Sequence, residues 1–385
     1  MYEAGEKMMM NRKLLSCTIL VGVFAAIASL LVFPFAASAK VTGLCSNCHT
    51  MHNSQNGSAV ARTGSGMGWN GSGKLTGGSI QGPQADLLVT DCVGCHSSTT
   101  NQTIINVGSS RVPIVFNTVA PSYNTPGPSN ALAGGNFYWV KNVNDNRGHN
   151  VYGISGQDSR LTQAPGRVVG CFGSCHDNLA NPTSGGVYMG NGHTTYNNGC
   201  QGCHVETSHH VDNGWYRFLK GHYEAGTVRY VAGLEDADWE QTTNATKHNY
   251  YKGTTDGYAG ALLGATHTIT SFCSGCHYDF HGWFVGLPNE GTGYASPWMR
   301  HPTDIALPQT DEYNGYDPVN SYSVEAPVAW LEPANPTRAG AVVMCLSCHR
   351  AHGSPYPSML RWDYNTMVAG GGGSGGCFTC HTQKK

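Results

Sequence analysis

The stretch Cys-Ser-Asn-Cys-His-Thr-Met-His at residues 45–52 decides how this chain folds. Two cysteines separated by two residues and followed at once by histidine are typical of a c-type haem attachment site. Each thiol adds to one vinyl group of the same porphyrin, and this requirement fixes the separation of the two sulfurs. The histidine that follows is then held beneath the iron as its proximal ligand. We therefore expect Cys45 and Cys48 to bind a haem covalently and His49 to ligate its iron.

The same pattern occurs five more times, and a seventh copy has one extra residue between its cysteines. Residue frequencies like these would produce on the order of 0.03 strict motifs by accident, so six are decisive. The expected attachment points are Cys45, Cys48, Cys92, Cys95, Cys200, Cys203, Cys273, Cys276, Cys345, Cys348, Cys377 and Cys380, with Cys171 and Cys175 in the longer copy. The expected proximal ligands are His49, His96, His176, His204, His277, His349 and His381. The sequence thus predicts a multihaem cytochrome with seven covalently attached haem c groups, each holding one iron.

The N-terminal residues 1–39 have the features of a cleaved secretory signal peptide. Three basic residues precede an apolar run over 14–35, and Ala37-Ser38-Ala39 supplies the small residues of a cleavage site. A retained membrane anchor is the alternative, because the run is nearly long enough to span a bilayer. The motifs use fourteen of the 15 cysteines, which leaves only Cys17 and no thiol for a structural disulfide. We expect residues 40–385 to form a single elongated unit without a membrane span, exported through the periplasm and secreted to the extracellular space or the cell surface.

Composition indicates how such a chain folds. It contains 51 glycines and 18 prolines, so sustained helical or strand periodicity is scarce. We predict mostly coil with short helices that start at the motifs, few strands, and a stack of haems as the core. Residues 54–82 are predicted to be a Gly/Ser/Asn-rich loop, and residues 134–141 have strand character. The formal charge of −2, with no basic patch, argues against nucleic-acid binding.

Eleven of the 18 histidines lie outside the motifs, and seven irons need at most seven distal ligands. Bis-histidine ligation is therefore favoured over sulfur ligation by Met51, Met344 or Met359. His52 and His352 each lie three residues after a proximal histidine, and three residues span at most about 10 Å. That reach is too short to pass around a porphyrin edge, so each must ligate a neighbouring haem or none. We expect distal ligands among His52, His149, His281, His301 and His352, with further candidates His193, His209, His210, His248 and His267; His222 is the eleventh.

The sequence resembles the OmcS-type outer-surface cytochromes, the hexahaem filaments of metal-reducing bacteria. The resemblance is carried by colinear blocks over most of the mature chain, of which the first is Cys-x-x-Cys-His-Thr-Met-His-Asn-Ser at 45–54. The later blocks are Gly-Gly-Asn-Phe-x-Trp-Val-Lys at 134–141, Gly-His-Asn at 148–150, Trp-Tyr-Arg-Phe at 215–218, Cys-x-x-Cys-His-x-Asp-x-His at 273–281, Arg-His-Pro at 300–302, Cys-Leu-Ser-Cys-His-Arg-Ala-His at 345–352, Ser-Met-x-Arg at 358–361 and the terminal Cys-x-x-Cys-His.

The resemblance implies bis-histidine haems in alternating parallel and T-shaped contacts, and a head-to-tail polymer. It also implies that His52 ligates the iron above His349 in the next copy of the chain; ligation within one chain is the alternative. This sequence departs from the family by its seventh motif at Cys171–Cys175 and by lacking a clear counterpart for one distal histidine before Cys345.

The expected function is electron conduction along closely packed haems, with upstream electron-donating cytochromes and extracellular electron acceptors as partners. The protein is not expected to be an enzyme. An iron with histidine ligands on both faces cannot bind substrate, and all seven motifs end in histidine. A monomeric periplasmic electron carrier and a multihaem oxyanion reductase with one open haem are the alternatives.

Overall fold

The computed structural model describes residues 41, 44–49, 52–55, 58–59, 62–71, 75–80, 92–166, 178–182, 187–189, 193–195, 198–204, 209, 216–219, 230–255, 263–277, 280 and 301–385. The chain divides into two compact units, Met1–Ser38 and Ala39–Lys385, and the first lies entirely outside the described residues. Also outside them are the predicted signal peptide, Met51, the motif residues Cys171, Cys175 and His176, and the candidate ligands His210, His222 and His281. Within the described ranges, no helix has both the length and the hydropathy that a bilayer span requires.

The described helices are one or two turns long. The α-helices are α1 (Cys92–Cys95), α2 (Tyr138–Asn142), α3 (Leu263–Thr266), α4 (Ile269–Ser274) and α5 (Cys377–Cys380). The 3-10 helices are Cys45–Asn47, Asp145–Arg147, Gly199–Gly202, Tyr216–Phe218, Asp311–Tyr313, Arg338–Gly340, Cys345–Ser347, Pro357–Met359 and Tyr364–Thr366. Four of these helices begin at the first cysteine of a motif, and the predicted fold of coil with short helices is confirmed. The haem stack as core stays a prediction.

The strands are also short, and they form small separate sheets. They are β1 (Ser54–Gln55), β2 (Ser58–Ala59), β3 (Arg62–Trp69), β4 (Leu75–Ile80), β5 (Ser97–Ser98), β6 (Ile104–Val107), β7 (Ser110–Pro113), β8 (Phe116–Asn117), β9 (Val187–Met189), β10 (His193–Thr195), β11 (Gly233–Leu234), β12 (Tyr250–Lys252), β13 (Ile305–Ala306), β14 (Ala329–Trp330) and β15 (Ala341–Val343). Two larger sheets have the strand orders β4-β3-β5-β8 and β11-β12-β14-β15-β13. In the four-stranded sheet β3 pairs antiparallel with β4 and β5 pairs parallel with β8, whereas both outer pairs of the five-stranded sheet are antiparallel.

Small apolar clusters, each in contact with a haem motif, form the described core. The five-stranded sheet separates two of them, because Ala329 and Val342 face one cluster while Trp330 and Ala341 face the other. This alternation is what the period of two along a strand produces. Cys273 packs against the first cluster and Cys380 against the second. Burial of these side chains therefore positions the motif cysteines.

The loop predicted for residues 54–82 is wrong, since β3 and β4 form a hairpin there. Trp69 pairs with Leu75 across the hairpin, and both side chains are buried together with Ile105 and Ile114. The Trp69 indole N–H also donates to the carbonyl of Cys95 at 2.7 Å, which ties the hairpin to a haem motif. Few of the hairpin residues are apolar, so hydrophobic alternation did not reveal strands that long-range packing stabilises.

The strand predicted over residues 134–141 is also wrong, because its second half belongs to helix α2. The side-chain oxygen of Asn136 accepts a hydrogen bond from the backbone N–H of Tyr138 at 3.0 Å, which starts the helical turn. Phe137 and Val140 are then buried on one face, three residues apart. Aromatic and branched residues gave the segment its strand propensity, and the local hydrogen bond together with tertiary burial overrode it.

Candidate haem sites

The six strict motifs share one backbone hydrogen bond. In each, the N–H of the histidine donates to the carbonyl of the first cysteine, four residues earlier. The distances are 2.8 Å for His49, 2.9 Å for His96, 2.9 Å for His204, 3.0 Å for His277, 3.1 Å for His349 and 3.0 Å for His381. This is the hydrogen bond of one α-helical turn, which places residues three and four apart on one face. Both sulfurs and the imidazole can therefore reach the same porphyrin.

The imidazole rings are oriented by a second set of hydrogen bonds. Nδ1 of His96 lies 2.8 Å from the carbonyl of Pro113, and equivalent contacts join His204 to Arg217 (3.1 Å), His277 to Pro165 (2.9 Å) and His349 to Ser358 (2.8 Å). A carbonyl oxygen can only accept, so Nδ1 carries the proton and Nε2 is left with its lone pair. Neutral imidazole with Nε2 available is the form that binds a metal.

Among the described residues, four pairs of histidine rings lie at nearly the same separation. The ring centroids are 6.0 Å apart for His96 and His209, 6.1 Å for His149 and His277, 6.1 Å for His204 and His352, and 6.0 Å for His301 and His381. Two metal–nitrogen bonds of about 2 Å and two half-rings of about 1.1 Å would place trans imidazole centroids about 6.2 Å apart. The donor set and its spacing therefore fit an iron between the rings of each pair.

Two other histidine rings stack directly on tyrosine rings. His248 stacks on Tyr322 with centroids 3.5 Å apart, and His267 stacks on Tyr230 at 3.9 Å. Neither separation leaves room for a metal between the two rings. In the described part of the chain, neither of these two candidate ligands faces another imidazole at the separation of the four pairs.

Burial sets the protonation state of the paired histidines. It lowers the pKa of His96 and His277 to about 4 and that of His352 to about 3. Burial also lowers the pKa of His149 and His204 from 6.5. These rings are consequently neutral at physiological pH, as iron ligation requires.

The cysteines of successive motifs lie close together. A hydrogen bond to Cys345 is the first cause of the raised pKa of the Cys273 thiol, and the charge of Cys203 also contributes. Burial raises the pKa of Cys348 to about 12, with further contributions from Cys377 and Cys380. The motifs beginning at Cys200, Cys273, Cys345 and Cys377 are thus neighbours in that order.

Comparison with known proteins supports the interpretation of the motifs. A family model for a doubled CXXCH motif matches residues 335–385. The C-type cytochrome OmcS of Geobacter sulfurreducens is 25% identical over an alignment that covers 91% of this chain and 87% of OmcS. Over most of its length the chain is thus similar to a multihaem c-type cytochrome. It binds haem c covalently through its cysteine motifs.

Two solved structures of the Geobacter protein also resemble the present chain. One is an outer membrane cytochrome S filament, with a TM-score of 0.42, 19% identity and 85% of each chain covered. The other is a cryo-EM structure of OmcS nanowires, with a TM-score of 0.43, 19% identity and coverage of 90% of this chain and 91% of the other. These TM-scores are too low to support an argument from the fold, so the similarity to OmcS rests on the sequence.

The remaining candidate ligands of the cytochrome have different surroundings. The side chain of His52 is exposed. No histidine ring within the described ranges lies opposite His349 at the separation of the four pairs. His193 belongs to β10, but its side chain is outside the described part. Met344 is buried in an apolar cluster.

Sequence reasoning missed two groups next to the cytochrome's haem motifs. The carboxylate of Glu312 accepts a hydrogen bond from Nδ1–H of His381 at 2.8 Å. The buried guanidinium of Arg361 donates to the carbonyls of Leu346 and His349 at 2.6 and 3.1 Å. Glu312 lies far from any motif along the chain and carried no sequence signal. Arg361 ends one of the blocks shared with OmcS-type cytochromes, and that block was its only signal.

Proposed function

We propose that this cytochrome conducts electrons along seven closely packed haems whose irons are each held between two histidines. The observation that carries the proposal is the set of four histidine pairs at 6.0–6.1 Å. An iron closed on both faces has no site for a substrate, so it can accept and release electrons without binding a further molecule. This arrangement favours electron transfer over enzymatic catalysis.

The proposed pairing joins haems through one short segment, Arg350–His352. His352 faces the proximal ligand His204, and the carbonyl of Ala351 accepts a hydrogen bond from Nδ1 of His149 at 2.6 Å. His149 in turn faces His277. Since His349 directly precedes the segment, three irons converge on it. Such proximity is what electron hopping between haems requires.

We further propose that copies of the chain assemble head to tail into a filament. The support is the likeness to OmcS, whose solved structures are filaments, and the exposure of His52. His52 would ligate the iron held by His349 in the next copy. A heterologous contact that does not close generates an open filament, and a metal–ligand bond across it would keep the haem chain continuous. The haem of the Cys171–Cys175 motif would be the seventh member of this chain.

In this proposal, the signal peptide directs the chain to the periplasm and the mature protein is then secreted. Upstream cytochromes supply electrons at one end of the filament. Extracellular acceptors take them up, and no substrate is transformed by the protein itself.

Substitution of His52 tests the assembly. Wild-type protein should form filaments visible by negative-stain microscopy, with every iron low-spin. His52→Ala should give separate molecules in which one iron per chain becomes high-spin. Ser54→Ala, at an exposed position two residues away, is the matched control and should still form filaments. Filaments of His52→Ala with all irons low-spin would contradict the proposal; the partner of His349 would then come from an undescribed segment of its own chain.

A further inference from the structure

Among the five proximal histidines whose Nδ1 acceptor the structure describes, one differs from the other four. Nδ1–H of His96, His204, His277 and His349 donates to backbone carbonyls. Nδ1–H of His381 donates instead to the Glu312 carboxylate at 2.8 Å. A carbonyl is a neutral dipole, whereas a carboxylate carries a full negative charge. The last motif of the chain therefore has a different electrostatic environment from the motifs of those four histidines.

The carboxylate is held in place by contacts between two segments. The 3-10 helix Asp311–Tyr313 lies against the C-terminal residues. The backbone carbonyl of Glu312 accepts a hydrogen bond from the Thr382 hydroxyl at 2.7 Å, and that of Asp311 accepts one from the Gln383 side chain at 3.0 Å. The ring of Tyr313 lies 5.0 Å from that of His381. The bond between Glu312 and His381 is thus part of a docked structure, since several independent contacts position its two partners.

One cation opposes the carboxylate. Nζ of Lys384 lies 3.1 Å from Oε2 of Glu312, while His381 contacts Oε1. The side chain of Lys384 is 59% exposed, compared with 22% for Glu312. Water therefore screens the lysine charge more strongly than the carboxylate charge. The carboxylate should retain a net effect on His381.

We propose that Glu312 lowers the reduction potential of the haem attached at Cys377 and Cys380, and makes it more easily oxidised than the four haems whose proximal histidines donate to backbone carbonyls. A carboxylate that accepts the Nδ1 proton raises the basicity of the ligating imidazole. Ferric iron carries one more positive charge than ferrous iron, so both the stronger donor and the nearby negative charge favour the ferric state. This inference rests on the proposed role of His381 as an axial ligand.

The neighbouring haem has two buried guanidinium groups beside its proximal ligand. Arg361 donates to the carbonyl of His349 at 3.1 Å, and Arg350 follows that histidine in the chain. Both guanidinium groups are buried, and the hydrogen-bond acceptors found for them are backbone carbonyls and one amide oxygen. Positive charge near an iron favours its ferrous state. Electrons should accordingly move from the last haem to the haem held by His349, which has the higher reduction potential.

Spectroelectrochemical titration of the full-length, haem-loaded protein tests the proposal. Glu312→Gln keeps an acceptor oxygen of the same reach but removes the charge. We expect one low-potential component to shift upward by on the order of tenfold in its ferric-to-ferrous ratio, which is about 59 mV for a one-electron couple. Asp311→Asn removes the same charge one residue away and should shift that component much less. An unchanged component in Glu312→Gln, or an equal shift in Asp311→Asn, would overturn the role of Glu312.

A second substitution fixes the sign of the effect. Lys384→Gln removes the cation that opposes the carboxylate, so the same component should shift to a lower potential. Lys385→Gln, the adjacent lysine, is the matched control and should have a smaller effect. A purely structural role for the Glu312 contact would not move the two variants in opposite directions. Shifts of the same sign in Glu312→Gln and Lys384→Gln would therefore overturn the proposal.

The titration distinguishes this inference from the proposed function. If the iron count is full, every iron is low-spin and Glu312→Gln leaves the potentials unchanged, only the role of Glu312 is wrong. If the wild-type protein has a high-spin iron at the last motif, then His381 and His301 do not form an axial pair. The proposed function fails in that case, and the present inference fails with it.

Discussion

Replacement of His352 by alanine is the sharpest test of the proposed ligand pairing. The His352 ring lies 6.1 Å from that of His204, and it also packs against Phe137 with centroids 4.8 Å apart. Removal of the imidazole would leave the iron above His204 with one protein ligand and an adjacent cavity. The other three pairs do not include either residue. The substitution should therefore open one iron and no other.

The size of the effect follows from the number of motifs. With seven haems per chain, His352→Ala should convert about one-seventh of the low-spin haem signal to high-spin. The reduced protein should bind one carbon monoxide molecule per chain, whereas wild-type protein should bind none. Absorption and electron paramagnetic resonance spectra measure the spin fraction, and carbon monoxide titration measures the stoichiometry.

Packing and ligation can be separated by a control. Phe137→Leu disturbs the contact with the His352 ring but leaves both imidazoles of the pair in place, so all irons should stay low-spin. If His352→Ala remained entirely low-spin and bound no carbon monoxide, the 6.1 Å separation would not represent an axial pair, and the reasoning applied to all four pairs would be refuted.

Two further predictions concern the protein around the haems. Gly135→Ala should cost more than about 3 kcal/mol in denaturant unfolding, because its φ is +81° and a Cβ would lie 1.9 Å from the carbonyl oxygen of Gly353. Gly156→Ala, where a Cβ meets nothing within 4 Å, should change stability little. Burial raises the pKa of Glu240 above 4.5, so the native state holds this proton to a higher pH than the unfolded state does. The free energy of unfolding should therefore fall as pH rises from 4.5 through the native pKa of Glu240. Glu240→Gln should abolish this fall in unfolding measured across pH; an unchanged pH profile would contradict it.

Local patterns in the sequence predicted the parts of each site that local geometry controls. A haem requires two sulfurs and a histidine at a fixed spacing, and one helical turn supplies that spacing in all six strict motifs. The abundance of glycine and proline likewise predicted short elements and extensive coil. The hairpin of β3 and β4 and the helix α2 were mispredicted because buried contacts with distant residues stabilise them.

The distal ligands could be predicted from the sequence only in part. Chain reach showed that His352 could not close the haem of His349, and the structure places it opposite His204. Nothing in the sequence indicated that His209, a further candidate, would face His96. A histidine far along the chain meets an iron only where the intervening segments fold back, and residue spacing does not encode that path.

The sequence by itself determined where haem attaches, because covalent attachment is a matter of neighbouring residues and fixed bond lengths. Only the tertiary structure decided which imidazoles face each other across about 6 Å and which proximal histidine donates to a carboxylate. Those relations depend on how remote segments pack, as the contact between Glu312 and His381 illustrates. The identity of the cofactor is therefore local information, whereas the closure of each iron and the tuning of its potential are properties of the folded chain.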